Sequence, residues 1–256
     1  MDIFTFASKL SLGSLLLEVK QYKTFIFIKS AFTSNLYNFI CPTSDVATFD
    51  WDLAEKLIVQ EREKGYYFSY YLKNNASFKE FETVLKQRGY QVVFQDKYLH
   101  TFVTKRFADL KEEFVLVDKN NLEDFVSLSA ICFPGWETNE GFCRLLFKIQ
   151  NNKGSTRAEN YLIKKGKSFV GVCAFVYSKK HGLSYQTNIG TLPNFRGQGI
   201  QKSAIKFLCN QAFSYGAGNC YTIVEPGSIS EHNYLKLGLE EAACYDIFSK
   251  PNASNA

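Results

Sequence analysis

The hydrophobic pattern of the first half of the chain alternates between strand-like and helix-like segments. Four runs rich in Phe, Ile and Tyr predict β-strands, at residues 24–30, 36–42, 66–72 and 91–103. Between them, apolar residues spaced three or four apart predict helices over 50–66 and 77–90. Ser77 is followed three residues later by Glu80, which is the pattern of a capping box, so we predict Ser77 as the N-cap of the second helix.

The second half has its own order of elements. The pattern predicts two helices, at 121–133 and 139–152, and then three strands joined by turns over 158–193. A helix from residue 200 onward, a strand at 219–226, a short helix at 230–238 and a last strand at 243–250 follow. The charged stretch 104–114 between the halves is typical of a linker. We therefore predict two domains, over residues 1–104 and 113–252.

The two halves also repeat one order of elements. Helix, strand, a helix ending in LKQRG, and strand over 53–99 parallel helix, strand, a helix ending in YLKLG, and strand over 203–248. This parallel predicts an internal duplication.

Composition narrows the classes of function. The net charge of +5 fits an anionic ligand, but the chain lacks the dense basic surface typical of nucleic-acid binding. The seven cysteines are an odd number without a CxxC pair, which argues against a metal site and against a secreted disulfide framework. No apolar run approaches the roughly 20 residues that span a bilayer. We expect a cytoplasmic protein that binds neither metal, membrane nor nucleic acid.

One glycine-bearing loop stands before the helix that begins near residue 200. It reads Arg196, Gly197, Gln198, Gly199, Ile200, Gln201 and Lys202. A helix N-terminus presents unpaired amides with partial positive charge, and glycines let an anion approach them. The segment therefore suits a pyrophosphate. The alternative is a tight turn whose glycines serve only backbone geometry; neither GxxxxGK[ST] nor GxGxxG occurs here.

Two segments carry a family resemblance. PNFRGQGI, residues 193–200, resembles the motif A segment of the GCN5-related N-acetyltransferase (GNAT) family, and YLKLGL, residues 234–239, resembles its Y-x-K-L-G-F segment. The resemblance covers about residues 113–250 and departs where Gln201 replaces Gly or Ala, where Leu239 replaces Phe, and where EPGSIS lacks the usual Asn. It implies an α/β (α+β mixed sheet) GNAT acyl-CoA N-acyltransferase fold, in tandem with a shortened, degenerate N-terminal GNAT-like domain.

The resemblance also implies how acetyl-CoA is bound as co-substrate. The strand before the loop separates from its neighbour, and the main chain of three strand residues contacts the pantetheine arm: Ile189, Gly190 and Thr191. The loop residues bind the pyrophosphate: Arg196, Gly197, Gln198, Gly199, Ile200, Gln201 and Lys202. Tyr234 matches the tyrosine that protonates the leaving thiolate, a suitable role for a phenol. The alternative is that Tyr234 only packs its helix against the sheet.

The remaining candidates concern the base and the acceptor. The strand LSYQTNIG has no carboxylate where relatives often carry a glutamate, so Glu225 is the candidate base, acting through a water. Its alternative is a solvent-facing residue at a strand end. Trp136, Glu137 and Glu140 lie between the first two helices of the second half, the region that commonly lines the acceptor site.

Two functional hypotheses follow. The first is an N-acetyltransferase that acts on a primary amine, of a small molecule or a protein, by direct attack in a ternary complex, as a monomer or homodimer. The second is an inactive CoA-binding sensor or interaction module.

In the first half, Asp45, Asp50 and Asp52 precede the helix where phosphates would need cations, and Leu85 stands at the position of Tyr234. We therefore predict that the N-terminal domain binds no cofactor.

Overall fold

The computed structural model describes the chain over residues 16–104, 106–108, 110–136, 139–151 and 156–251. Contacts divide it into two compact units. Of the described residues, those within 98–241 belong to the C-terminal unit, and those within 16–97 and 242–251 belong to the N-terminal unit. Within the described ranges, the helices are too short or too polar to traverse a lipid bilayer.

The N-terminal unit is a mixed sheet with two helices. Its strands are β1 (Leu16–Gln21), β2 (Phe25–Ser30), β3 (Phe39–Pro42), β4 (Ser69–Lys73) and β11 (Glu240–Ser249), and its helices are α1 (Trp51–Glu63) and α2 (Lys79–Gln87). The strand order is β1-β2-β3-β4-β11. Only the β3/β4 pair is parallel among these neighbours, and α1 makes the crossover between them.

The core of the N-terminal unit is aromatic. Phe25, Tyr70 and Phe81 are among its fully buried side chains, and Phe49 packs edge-on against the Phe81 ring at 5.2 Å. These rings lie between the sheet and the two helices. The predicted cap of α2 is wrong, because Asn75 accepts the hydrogen bond from the amide of Ser77 and a 3₁₀ turn over Ala76–Phe78 precedes α2.

The strands of the C-terminal unit also pair in a mixed parallel and antiparallel order, with helices packed on them. After β5 (Gln91–Phe102), its elements are β6 (Glu113–Leu116), α3 (Leu122–Cys132), α4 (Asn139–Gln150), β7 (Arg157–Lys165), β8 (Ser168–Ser178), β9 (Leu183–Thr191), α5 (Ile200–Ser214), β10 (Asn219–Val224) and α6 (Ile229–Leu235). The strand order is β5-β10-β9-β8-β7-β6. The strands β6 to β9 pair antiparallel, and β9 pairs parallel with β10.

Strand β8 is the centre of the C-terminal unit. Cys173 and Phe175 contact the core cluster that includes Ile205 and Leu208 of α5. Val172 and Ala174 point to the other face because side chains alternate along a strand, and α3 contacts β8 there. Both faces of β8 are therefore covered.

The predicted helices and strands are found in order in both halves of the chain, but the structure adds two strands that the pattern did not predict, β1 and β6. Contacts group most of β11 with the N-terminal unit, although the sequence places it after α6. The predicted domain limits of 1–104 and 113–252 do not include this exchange, and they stay a prediction.

Candidate functional site

Strands β9 and β10 run together for four residues and then separate. Their ladder pairs residues 183–186 with residues 219–222 and ends at the Gln186/Thr222 pair. On its other side, β9 stays paired with β8 as far as Thr191. Within the described part of the chain, no ladder pair continues β9/β10 past Gln186, so the edge of β9 from Thr187 to Thr191 is open. This is the opening that the family resemblance implies.

A bulge in β9 lies at this opening. Two β9 residues, Asn188 and Ile189, stand opposite the single β8 residue Cys173. Asn188 has a φ of 51°, a left-handed conformation that asparagine tolerates better than most residues. The bulge was not predicted, although an Asn inside an apolar strand pattern is a signal for one.

A buried polar network holds Asn188. The Ser129 hydroxyl lies 2.8 Å from Asn188 Oδ1 and 2.8 Å from Asn139 Oδ1, and Asn188 Nδ2 donates to Cys143 Sγ at 3.4 Å. All four side chains are buried. The network connects α3, α4 and β9, so the bulge is fixed from the helix layer beside it.

Gly190 allows α3 to pack directly on the opened strand. A Cβ atom there would lie 2.5 Å from Cys132 Cβ and 2.9 Å from both Cys132 Sγ and an edge carbon of Phe133. Real Cβ atoms do not approach so closely, so any side chain at 190 would push α3 away from β9.

Gly190→Ala should therefore destabilise the protein by about 1–3 kcal/mol, the usual cost of overpacking a core. The measurement is denaturant unfolding of the variant and the wild type. Gly218→Ala is the matched control, because a Cβ at Gly218 meets only Val103 O at 3.4 Å. Equal stability of the two variants would contradict the tight contact between Gly190 and α3.

The loop after β9 presents bare backbone at the start of α5. Gly199 is the N-cap with a φ of 82°, and Gly197 has a φ of 78°. Neither would place a Cβ within 4 Å of another group, and both are exposed. Because a glycine cap has no side chain, Gly199 cannot accept from the first amides of α5, which also have no acceptor within the helix. This end of α5 can therefore hold an anion.

The corresponding helix of the N-terminal unit is capped. Asp50 is the N-cap of α1, and its carboxylate accepts the amide hydrogen of Leu53 at 3.0 Å. A negative charge already occupies the place that a phosphate would take. The starts of α1 and α5, which the predicted duplication pairs, therefore present opposite electrostatics.

Three cationic side chains lie at or beside the loop that precedes α5. Arg196 is exposed, and its guanidinium donates to Thr191 O at 3.2 Å and to Cys132 O at 3.5 Å, which joins the loop to β9 and α3. Lys165 donates to Gln198 Oε1 at 2.8 Å. Lys202 is half-buried in the first turn of α5. The sequence pattern did not predict that Lys165, at the end of β7, lies beside this loop.

The Gln201 side chain turns from the loop toward α6. Its Nε2 donates to Ser230 Oγ at 3.1 Å, and its Oε1 accepts from Asn233 Nδ2 at 2.6 Å. The departure from Gly or Ala at this position is therefore accommodated by α6.

Tyr234 lies in the core of the C-terminal unit, with 2% of its surface exposed. Burial raises its pKa well above the usual value, although the Thr222 side chain, its hydrogen-bonding neighbour, lowers it. Thr222 in turn donates to Gln186 O at 3.2 Å, in the last pair before β9 and β10 separate. The Tyr234 hydroxyl thus lies beside the fork of the two strands.

The other candidates are more exposed. Glu225 directly follows β10, and its side chain is exposed. Trp136 contacts the rings of Phe133 and Phe142, with centroids 5.9 and 5.1 Å away. Glu140 Oε1 accepts from Arg144 Nε at 2.9 Å and is therefore paired on the surface of α4. Glu137 lies outside the described residues.

The described residues contain no candidate metal site. Across the described residues, no group of three or more His, Cys, Asp or Glu side chains could hold a metal ion. The candidate site is therefore a strand opening, a loop of free amides and a buried tyrosine.

Comparison with known proteins agrees with this geometry. The model of the "Acetyltransferase (GNAT) family" matches residues 122–239. A search of curated proteins finds no sequence that matches the chain. A GCN5-related N-acetyltransferase from Kribbella flavida is 17% identical, with a TM-score of 0.67, over 99% of this chain and 97% of its own.

Two further solved structures share the fold. A GCN5-related N-acetyltransferase from Sphaerobacter thermophilus has a TM-score of 0.65 at 12% identity, over 91% of this chain and 82% of its own. A tandem GNAT protein from the clavulanic acid biosynthesis pathway has a TM-score of 0.55 at 7% identity, over 90% and 80%. The predicted fold class, a mixed α/β GNAT fold, is confirmed. Residues 122–239 form an acetyltransferase domain of the GNAT family.

Proposed function

We propose that this protein transfers an acetyl group from acetyl-CoA to a primary amine. The observation that carries the proposal is the continuity of the open β9 edge with the bare amides of α5. A CoA thioester has the same two parts in the same order, because its amide-bearing pantetheine arm ends in a diphosphate. One element of the protein is available for each part.

The residues of the C-terminal unit fit the cofactor. The main chain of Ile189, Gly190 and Thr191 lies along the open edge and can pair with the arm as an added strand does. The amides from Gly197 to Lys202 can hold the diphosphate, since the glycines keep Cβ atoms out of its way. Arg196, Lys165 and Lys202 supply positive charge around it.

The reaction needs one proton donor and one proton acceptor. The amine nitrogen forms a bond to the acetyl carbon, and the carbon–sulfur bond of the thioester breaks. Tyr234 gives its proton to the departing thiolate, and its position beside the strand fork supports this role. The attacking nitrogen loses a proton to water that Glu225 orders at the end of β10. Placement of the two reactants accounts for most of the acceleration.

The acceptor is an amine of a small molecule or of a protein. Trp136, held between Phe133 and Phe142, offers an aromatic wall near the start of α4. Glu140 shares its charge with Arg144, so it contributes to amine recognition only if that ion pair opens. The seven cysteines are all free, and six are buried, which favours a reducing compartment such as the cytoplasm.

Calorimetry at low ionic strength should register one equivalent of CoA, and one of acetyl-CoA, bound per chain. The physical reason is that the α5 loop can hold a diphosphate, whereas Asp50 blocks the matching place on α1. Absence of heat with both ligands would contradict the proposal, and a second equivalent would contradict the inert N-terminal unit.

Turnover is tested by thiol release from acetyl-CoA with an equimolar pool of polyamines, amino acids and lysine peptides. Mass spectrometry should find an acetylated amine in the pool. Binding of CoA without any thiol release above the no-enzyme control would favour a sensor or interaction module instead.

A further inference from the structure

Gln201 connects the first turn of α5 to α6 through both ends of its side-chain amide. It donates to Ser230 at 3.1 Å and accepts from Asn233 at 2.6 Å. All three side chains are half-buried, so water competes only in part for these hydrogen bonds. Asn233 directly precedes Tyr234. The link therefore joins the loop of free amides to the helix that carries the proposed acid.

Helix α6 depends on tertiary contacts to be placed accurately. It has seven residues, and a helix of that length is marginal without tertiary contacts. Ser228 accepts from the amide of Glu231, and the Glu231 carboxylate accepts from the amide of Gly227, but these caps order only the start of α6 itself. They do not fix α6 relative to α5.

The geometry of the link can fix the rotation of α6 about its own axis. Ser230 and Asn233 are three residues apart, so they lie on one face of the helix. One amide that donates to the first and accepts from the second sets both the height and the rotation of that face. Alanine or glycine at position 201 would leave both partners without this contact.

We propose that Gln201 is a positioning residue whose side chain sets the place of Tyr234 relative to the diphosphate loop and does not itself contact the diphosphate, which the main-chain amides hold. The proposal rests on the proposed function, because it assigns to Gln201 a part in the transfer step. If so, loss of the Gln201 side chain lowers kcat and leaves the Kd for CoA nearly unchanged.

The experiment compares Gln201→Ala, Asn233→Ala and the double variant. Each single change should lower kcat for thiol release with the amine pool about tenfold, a moderate misplacement of the acid. The calorimetric Kd for CoA should stay within about twofold, since the amides remain. The double variant should be no slower than the slower single variant, because both changes break one link. Gln211→Ala, on the same helix, should behave as wild type.

Three results would overturn the positioning role. Weaker CoA binding at unchanged kcat would make Gln201 a ligand contact, unchanged kcat and Kd would make the link mere packing, and additive losses in the double variant would make the two residues independent. Thermal unfolding of each variant verifies that it folds, and Asn233→Ala tests the same link if Gln201→Ala does not fold. A wild-type protein without CoA binding would instead refute the proposed function, whereas an active wild type with an equally active Gln201→Ala refutes this inference alone.

Discussion

Tyr234→Phe should lower kcat by about 100-fold and leave the Kd for CoA within about twofold, because loss of a general acid typically costs 10²-fold or more. Phenylalanine keeps the buried ring and removes only the hydroxyl beside Thr222 and the strand fork. The measurement is thiol release at saturating acetyl-CoA, together with calorimetry for CoA.

Tyr177→Phe is the matched control for this prediction. Tyr177 belongs to the same core cluster as Tyr234 and is also buried, but it lies on β8. Removing its hydroxyl should leave kcat unchanged. Unchanged turnover in Tyr234→Phe would take Tyr234 out of the acid role and leave it only its packing against the sheet.

The pH dependence of kcat is a second test of Tyr234 as the general acid. Burial raises the pKa of Tyr234 above the ordinary value of a phenol, about 10. Because the acid must be protonated to act, ionisation of Tyr234 can lower the rate only above that pH. The wild type should therefore show no alkaline loss of kcat below about pH 10. A fall centred near pH 8 would assign the acid to another group.

The elements of this chain were predictable because their signals are local. Apolar spacing defined α5 over Ile200–Ser214, and Gly199 marked its start. Gly89, with a φ of 83°, follows the last turn of α2, close to the end of the predicted helix over 77–90. The predicted Ser77 cap was wrong because a 3₁₀ turn, capped by Asn75, comes first, and α2 then begins after Phe78 without a side-chain cap.

The long-range arrangement was not predictable in the same way. Strand β11 pairs with β4, more than 160 residues earlier in the sequence, and no local pattern specifies that partner. The polar network of Ser129, Asn139 and Asn188 likewise joins residues that are neighbours only in the folded unit. By contrast, the Glu140–Arg144 pair has the i,i+4 spacing of a helical ion pair, a local signal that was not used when Glu140 was assigned to the acceptor region.

Lys202→Glu should weaken CoA binding about 100-fold at low ionic strength. The change replaces a positive charge in the first turn of α5 by a negative one, beside the amides proposed to hold a diphosphate. For charges about 6 Å apart in water, each unit pair contributes about 0.7 kcal/mol. Reversal against a doubly charged diphosphate therefore costs about 2.8 kcal/mol. Calorimetry with CoA measures this loss.

Lys206→Glu is the matched control, with the same change of charge one turn further along the same helix. At about 12 Å the Coulomb energy halves, so its loss should be only about tenfold at low salt. At 0.15 M salt, screening over about 8 Å should leave Lys202→Glu about tenfold weaker than wild type and Lys206→Glu nearly equal to it. Equal losses of CoA affinity in the two variants would mean that CoA binding depends only on the net charge of the protein. The start of α5 would then not be where the diphosphate binds.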